Sequence, residues 1–293
     1  MPSLKDIRLR IDSTKNTQQI TKAMKMTSAA KLRRAQHAIV NMRPYAQGLM
    51  TVIADVATTQ AVKHPLLERV QNPKKILLVV VTSDRGLCGA FNTNVSKFAE
   101  RYMRDNASKY QKMDMLMIGR KGADYFRRRG KPAVDTILNL AKDISHAMAS
   151  DIAKRAIEMY QAGEYDEVRF IYNEFRSAIS QVAVCETLLP IDIEKAATLN
   201  TGSGGFAPEL IYEPSPAEII DQLIRKHFDI QVYRCLAESV AAEHGARMTS
   251  MENATKNAGE MIRNLTLTYN KARQAAITTE LIEITSGAEA LKA

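Results

Sequence analysis

Residues 216–286 read PAEIIDQLIRKHFDIQVYRCLAESVAAEHGARMTSMENATKNAGEMIRNLTLTYNKARQAAITTELIEITS, and this one stretch decides the architecture. Its start is written clearly: Ser215 as N-cap, Pro216 at the first helical position and Glu218 in the first turn. A seam at heptad spacing then begins Ile219, Leu223, Lys226, Ile230, Tyr233, Ala237, Val240, His244, Arg247. It continues Met251, Ala254, Ala258, Met261, Leu265, Thr268, Ala272, Ala275, Thr279, Ile282. About seventy helical residues at 1.5 Å rise span roughly 105 Å. No ordinary globular domain is that long, so much of this helix is expected to protrude or to be covered by other chains. Gly245 and Gly259 lie inside it at a cost of about 1 kcal/mol each relative to Ala. Many seam positions are Ala, Thr or Met, small enough for two backbones to approach closely.

The opposite end carries a matching pattern. From Ser3 to about Thr58 a ladder runs Leu4, Ile7, Ile11, Thr14, Gln18, Thr21, Lys25, Ser28, Leu32, Ala35, Ile39, Met42, Ala46, Leu49, Ile53, Val56, the spacing of a coiled-coil seam. Ser3 is placed to cap the start, with Asp6 as its capping-box acid or as a partner of the helix dipole. Pro44 is interior and predicts a bend or a distorted turn. The ladder is polar between Thr14 and Ser28, and there the apolar side chains shift to Ile20, Ala23, Met24 and Met26. A helix that changes neighbours along its length has reason to do this; a simple two-stranded coiled coil does not.

Between the helices, residues 74–213 alternate strand and helix. Lys75 to Thr82 is a continuous apolar strand, the kind buried on both faces. A helix is predicted over 92–106, a strand over 113–118, helices over 121–129 and 143–162, and strands over 167–175 and 181–189. This is a Rossmann-like α/β domain with a mixed or parallel sheet. Residues 198–208, with Gly202, Gly204 and Gly205, read as a mobile loop. The domain division is therefore 1–58, 74–213 and 216–293.

Composition narrows the function classes. No run of 18 apolar residues predicts a transmembrane helix, and Met1 to Asp6 has no signal-peptide core, so the protein is expected to stay on the side of the membrane where it is made. Cys88, Cys185 and Cys235 are far apart and form no CxxC pair, which argues against zinc and disulfides and for a reducing compartment. The net charge of +9 is concentrated: residues 1–43 hold ten Lys or Arg against Asp6 and Asp12. That segment is expected to meet something acidic, whether nucleic acid, anionic lipid or a protein surface.

Few motifs suggest chemistry. Asp84-Arg85-Gly86-Leu87-Cys88-Gly89 follows the first strand and opens a helix, a context that attracts anions, but it matches neither GxxxxGK[ST] nor GxGxxG. It reads instead as a tight turn needing glycines at positive φ. His37, His64, His146, His227 and His244 include no i, i+4 pair for a metal. No catalytic residue, cofactor site or metal site is expected. The basic stripe Lys22, Lys25, Lys31, Arg33 and Arg34 lacks the interleaved aromatics of a single-strand nucleic-acid binder, since the first aromatic is Tyr45. An acidic protein collar explains both the charge and the change in the seam. Arg247, Arg273 and Gln274 span about 40 Å of helix and cannot form one site.

Three runs resemble one family. Asn16 to Met26, continuing to Ala29 to Gln36, is similar to the start of the F-type ATP synthase gamma family; Ser83 to Asn92 resembles the motif after its first strand; Tyr269 to Leu281, with Glu283 and Gly287-Ala288, resembles its C-terminal signature. The resemblance implies that the two end helices pair as an antiparallel coiled coil. Its tip would enter an alpha-3/beta-3 hexamer, and the α/β domain would contact epsilon and the ring of c subunits. It implies a rotating, non-catalytic shaft on the cytoplasmic face of the inner membrane, with Met24, Arg247, Arg273, Gln274, Thr278 and Glu280 matching positions that contact beta subunits. The stripe from Lys22 to Arg34 is expected near acidic loops of beta. The cysteine-bearing insertion of chloroplast members is missing, and the sequence fits a bacterial member. Two rival readings are a dinucleotide-binding enzyme, which leaves the long helices unexplained, and a nucleic-acid-binding coiled-coil protein, which accounts only for the basic N-terminus.

Overall fold

Ser3 and Asp6 satisfy each other across the first helical turn: the Asp6 amide donates to Ser3 Oγ and the Ser3 amide to Asp6 Oδ2, both at 3.2 Å. This capping box starts helix α1, Leu4–Gln60, in the computed structural model. The structure describes residues 3–60, 64–138, 145–192 and 216–290, the side chains of 54–60, 216–217 and 289–290 excepted. Helical structure continues through Pro44 without a break. The other elements are β1 (Lys75–Val81), α2 (Phe91–Asp105), β2 (Lys112–Ile118), α3 (Arg120–Arg127), β3 (Asp135–Ile137), α4 (His146–Gln161), β4 (Glu167–Phe175), β5 (Gln181–Leu189) and α5 (Pro216–Ala290). Strand β3, three residues long, was not expected from the sequence. The N-cap expected at Ser215 and the loop expected at 198–208 lie outside the described residues.

The chain divides into two compact units, one formed by Met1–Ser28 with Met248–Ala293, the other by Ala29–Arg247. The larger unit holds a five-stranded mixed sheet of order β3-β2-β1-β4-β5, parallel except for the β4–β5 hairpin. Strand β1 lies at its centre, and Ile76 to Val81 are buried without alternation, as a strand covered on both faces must be. On one face Ile76, Leu78, Val80, Met115 and Met117 pack with Val95, Ala99 and Met103 of α2 and Phe126 of α3. Helix α4 packs on β4. It buries Ala149, Ile152, Ala153, Ala156 and Ile157, and Ser150 Oγ donates to Asp229 Oδ2 of α5 at 2.9 Å. Arg234 of α5 reaches β5, where Nη2 lies 2.7 Å from both carboxylate oxygens of Glu186.

Two glycines make the β2–α3 crossover possible. Gly119 has φ +98°, and a Cβ there would lie 2.2 Å from the Thr82 carbonyl oxygen. Gly122 donates its amide to Thr82 Oγ1 at 3.0 Å, and a Cβ on it would meet that oxygen at 2.7 Å. Only glycine fits at either place.

Candidate functional site

In the smaller unit the two helices pair antiparallel. Lys25 meets Glu252, Thr21 meets Thr255, Gln18 meets the Thr255 carbonyl, and Thr14 meets Met261, so the partner number rises as the α1 number falls. The ladder from Leu4 to Ser28 faces inward: Ile7, Ile11, Thr21 and Ser28 are buried, and Leu4, Thr14, Gln18 and Lys25 are half-buried. Its polar section is joined by directional bonds in place of apolar packing. Lys25 Nζ lies 2.6 Å from Glu252 Oε1, the Thr255 and Thr21 hydroxyls are 2.8 Å apart, and Gln18 Nε2 donates to the Thr255 carbonyl at 3.4 Å. The apolar side chains displaced from this seam face outward: Ile20 is 60% and Met26 63% exposed. Met24 is half-buried.

On α5 the seam holds at Met251, Ala254 and Ala258 but departs farther out. Met261 and Thr268, expected on the seam, are exposed, and Ile262 and Tyr269 are half-buried in their place. Leu265 and Ala272 keep the inward position. The inward positions still repeat every seven residues, through 251, 258, 265 and 272 and through 255, 262, 269 and 276, so the heptad holds and the expected second row, at 261, 268 and 275, lies one residue off the contact face. The register carried to Leu4, the first residue of α1, places that residue opposite about Ala272. Beyond it, residues 277–288 of α5 are exposed at every position, including Ile277, Leu281, Ile282 and Ile284. Ala275, Thr279 and Ile282, expected on the seam, are therefore uncovered. Arg273, Gln274, Thr278 and Glu280 all lie exposed on this outer part of α5, with the Thr278 hydroxyl donating back to the Gln274 carbonyl at 2.9 Å. Met24 sits beside the turn that meets Glu252, and Arg273 is 21 residues farther along, about 31 Å of helical rise. The two stand at different levels of the same unit.

Arg247 belongs to the larger unit and is only 7% exposed. Its Nη1 lies 2.6 Å from Glu243 Oε1 in an ion pair. Its Nη2 donates to the carbonyls of Gly86 at 3.2 Å and Arg85 at 3.4 Å. The turn it grips is further tied by Ser83, whose hydroxyl donates to the Arg85 carbonyl at 2.6 Å, and by Asn92, whose amide group reaches Ser83 Oγ and Cys88 Sγ. Positive φ was expected at the glycines. It falls at Gly89 (57°) and, instead of Gly86, at Leu87 (64°), whose side chain is 63% exposed. Burial pushes the Cys88 thiol up, with Arg247 pulling the other way. The turn presents carbonyls to an arginine of its own chain, the opposite polarity to a phosphate cradle.

Of the basic stripe, Lys22, Arg33 and Arg34 are exposed, Lys25 is paired with Glu252, and Lys31 is half-buried. Lys22 and Lys25 belong to the smaller unit and the other three to the larger. Sequence reasoning missed the directional bonds of the polar seam and the left-handed Leu87. The first was signalled by Thr14, Gln18 and Thr21 standing on an otherwise apolar ladder; nothing in the sequence signalled the second. Among the described residues no helix is long and apolar enough to cross a membrane, and no group of His, Cys, Asp and Glu is arranged to hold a metal ion.

The profile of a family described as ATP synthase matches residues 3–291. A protein of Bdellovibrio bacteriovorus called ATP synthase gamma chain is 62% identical over 294 residues, with both chains covered in full. One of the same name from Geobacter metallireducens is 50% identical over 293 residues, again with full coverage of both. Among solved structures, a chain of the Tetrahymena thermophila mitochondrial ATP synthase central stalk and c-ring is 28% identical, with TM-score 0.60, covering 80% of this chain and 99% of that one. A chain from the Euglena gracilis mitochondrial ATP synthase, at 23% identity and TM-score 0.66 over 98% of this chain and 94% of that one, shares the fold.

Proposed function

The chain belongs to the ATP synthase family, among its gamma chains, and from that premise we propose that it is the central rotor shaft of an F-type proton-translocating ATP synthase, a non-catalytic subunit. The observation that carries this reading is the outer part of α5. From 277 to 288 every residue is exposed, and Ile277, Leu281 and Ile284, at i, i+4 and i+7, form one apolar stripe with Ile282 beside it. An apolar stripe that no described residue of the chain covers calls for a partner. Ile20 and Met26 on the outside of α1 add to the same demand.

The occupants that fit are the alpha and beta subunits as a sleeve, with epsilon and the ring of c subunits at the α/β domain, and the membrane met only through that complex at its cytoplasmic face. Met24, Arg273, Gln274, Thr278 and Glu280 would contact beta at successive levels. Arg247 would act from a buried position, setting the exposed Leu87 turn that it grips. Lys22, Arg33 and Arg34 would face acidic loops of beta, Lys25 and Lys31 being partly engaged within the chain. Mechanism is mechanical on this reading. An asymmetric shaft turning inside three equivalent catalytic subunits shifts each one's nucleotide equilibrium only by the difference in contact free energy between its faces.

Co-expression with alpha and beta subunits tests the assignment, a stable complex identified by mass spectrometry being the expected result. In that complex Met24→Lys is expected to lower the protons pumped per ATP hydrolysed while assembly persists. A chain that does not join alpha and beta sinks the proposal.

A further inference from the structure

Torque on two paired helices is borne partly as axial sliding of one past the other, which interdigitated side chains resist by steric fit and hydrogen bonds between fixed partners resist further by their directionality. The paired helices of the smaller unit are apolar at Ile7 and Ile11 but change character between Thr14 and Lys25. There Gln18, Thr21 and Lys25 make directional contacts with α5, while the Thr14 hydroxyl turns back to the Arg10 carbonyl at 2.7 Å. The Thr21–Thr255 hydroxyl bond is 2.8 Å, and Thr21 is 8% exposed. Thr255 Oγ1 also lies 2.7 Å from the Met251 carbonyl, and Thr21 Oγ1 lies 3.0 Å from the Gln18 carbonyl. Each hydroxyl has one proton, so whichever threonine donates to the other, the second bonds back to its own helix and both groups stay satisfied. Gln18 reaches the Thr255 carbonyl in the space left by Gly259, where a Cβ would come within 3.0 Å of Nε2. The Lys25–Glu252 pair at 2.6 Å closes the set. A slide of one residue, 1.5 Å, across the 2.8 Å hydroxyl bond would stretch it to about 3.2 Å, outside the usual range of roughly 2.5–3.0 Å, and so weaken it.

We propose that Thr21 and Thr255, supported by Gln18 and the Lys25–Glu252 pair, are positioning residues that pin α1 and α5 against sliding, so that torque reaches the exposed end of α5 without slack. The function assigned to the pin rests on the shaft reading; the pin itself does not. Apolar residues at these seam positions would pack as well and hold the axial alignment less tightly, and this explains why the ladder is polar here.

The test replaces hydroxyls by methyls of the same size, Thr21→Val with Thr255→Val, beside Thr21→Ser with Thr255→Ser, which keeps the bond. In the full chain, spin labels on ketone-bearing residues introduced at Arg8 and Arg263, both exposed, leave the native cysteines untouched. The expected result is an interhelix distance distribution broadened by about the 1.5 Å rise of one residue in the valine variant and unchanged in the serine variant. In the assembled enzyme the valine variant is expected to pump fewer protons per ATP, with the serine variant restoring the ratio. An unbroadened distribution overturns the pin, and broadening with full coupling overturns its role in transmission. Failure of the wild-type chain to join alpha and beta subunits overturns the shaft reading and leaves the distance result standing.

Discussion

Glu243 and Arg247, one turn apart on α5, form an ion pair almost sealed from water, with side-chain exposures of 3% and 8%. Burial pushes the Glu243 carboxyl above the usual carboxylate range although Arg247 lies against it. Such a pair adds little net stability over a well-packed apolar one, but removing one partner strands the other. Glu243→Ala is expected to destabilise the larger unit by about 3 kcal/mol, the low end for a broken buried pair because the Arg85 and Gly86 carbonyls still receive the guanidinium. Urea unfolding followed by a probe in that unit measures it, and a loss below about 1 kcal/mol would count against the buried pair.

Acid sensitivity follows from two buried histidines. Burial, aided by Arg234, pulls His227 down to about 4, and burial with Arg247 and Lys31 beside it does the same to His244. An unfolded histidine titrates near 6.5. Between pH 6.5 and 4 the unfolded chain therefore takes up protons that the folded chain refuses, and stability falls as pH falls, by up to about 1.4 kcal/mol per pH unit for each residue. His227→Gln with His244→Gln is expected to flatten this slope in unfolding free energies measured from pH 7 to 4.5. A slope unchanged by the double substitution would refute the assignment.

Gly245 and Gly259 both sit inside α5, yet alanine should act oppositely on them. At Gly245 a Cβ meets the Ala178 Cα and Phe175 Cε2 at 3.3 Å, and backbone cannot step aside. At Gly259 the first atom met is Gln18 Nε2, the far end of a flexible side chain. Gly245→Ala is expected to lower stability by about 1 kcal/mol or more despite the better helix former. Gly259→Ala is expected to be close to neutral, the helix gain of about 1 kcal/mol being offset by the displaced glutamine bond. Thermal unfolding of both variants decides the contrast.

Leu87 carries a left-handed backbone and an exposed side chain, an expensive combination for leucine. Leu87→Asn is expected to raise the stability of the isolated chain by about 0.5–1 kcal/mol, because asparagine tolerates that region. If the leucine serves a partner, the same variant will couple less well in the assembled enzyme. A stability loss on chemical denaturation would show that the strain is illusory.

Periodicity made most of this fold legible. Ile7, Ile11, Leu32, Ile39 and Leu49 stand on one face of α1, and all are buried. The unbroken run Ile76 to Val81, short and rich in β-branched residues, reads as a strand covered on both faces, and it is one. Strand β3 escaped because three residues, Asp135 to Ile137, carry too little pattern, and its pairing with β2 is a tertiary matter. The outer α5 seam departs from expectation at Met261 and Thr268 because small and polar residues on both neighbouring rows, Ala254 beside Thr255 and Thr268 beside Tyr269, leave the choice of row to the partner helix while the seven-residue repeat stays. At the candidate site, Thr14, Gln18 and Thr21 announced a polar seam, but their bonding to residues more than 230 positions away is invisible to any local reading. Arg247 carries no local mark of burial; its partners Arg85 and Gly86 lie more than 160 residues earlier in the chain.

That separation has a consequence on the ribosome. Thr21 and Thr255 are 234 positions apart, so at roughly 5–20 residues per second the first helix waits on the order of 10 to 50 s for the strand of chain that will cover it. The smaller unit is thus the last part of the molecule able to assemble. A waiting segment rich in leucine would be exposed to aggregation throughout; one that offers threonine, glutamine and lysine on that face can remain hydrated until its mate emerges.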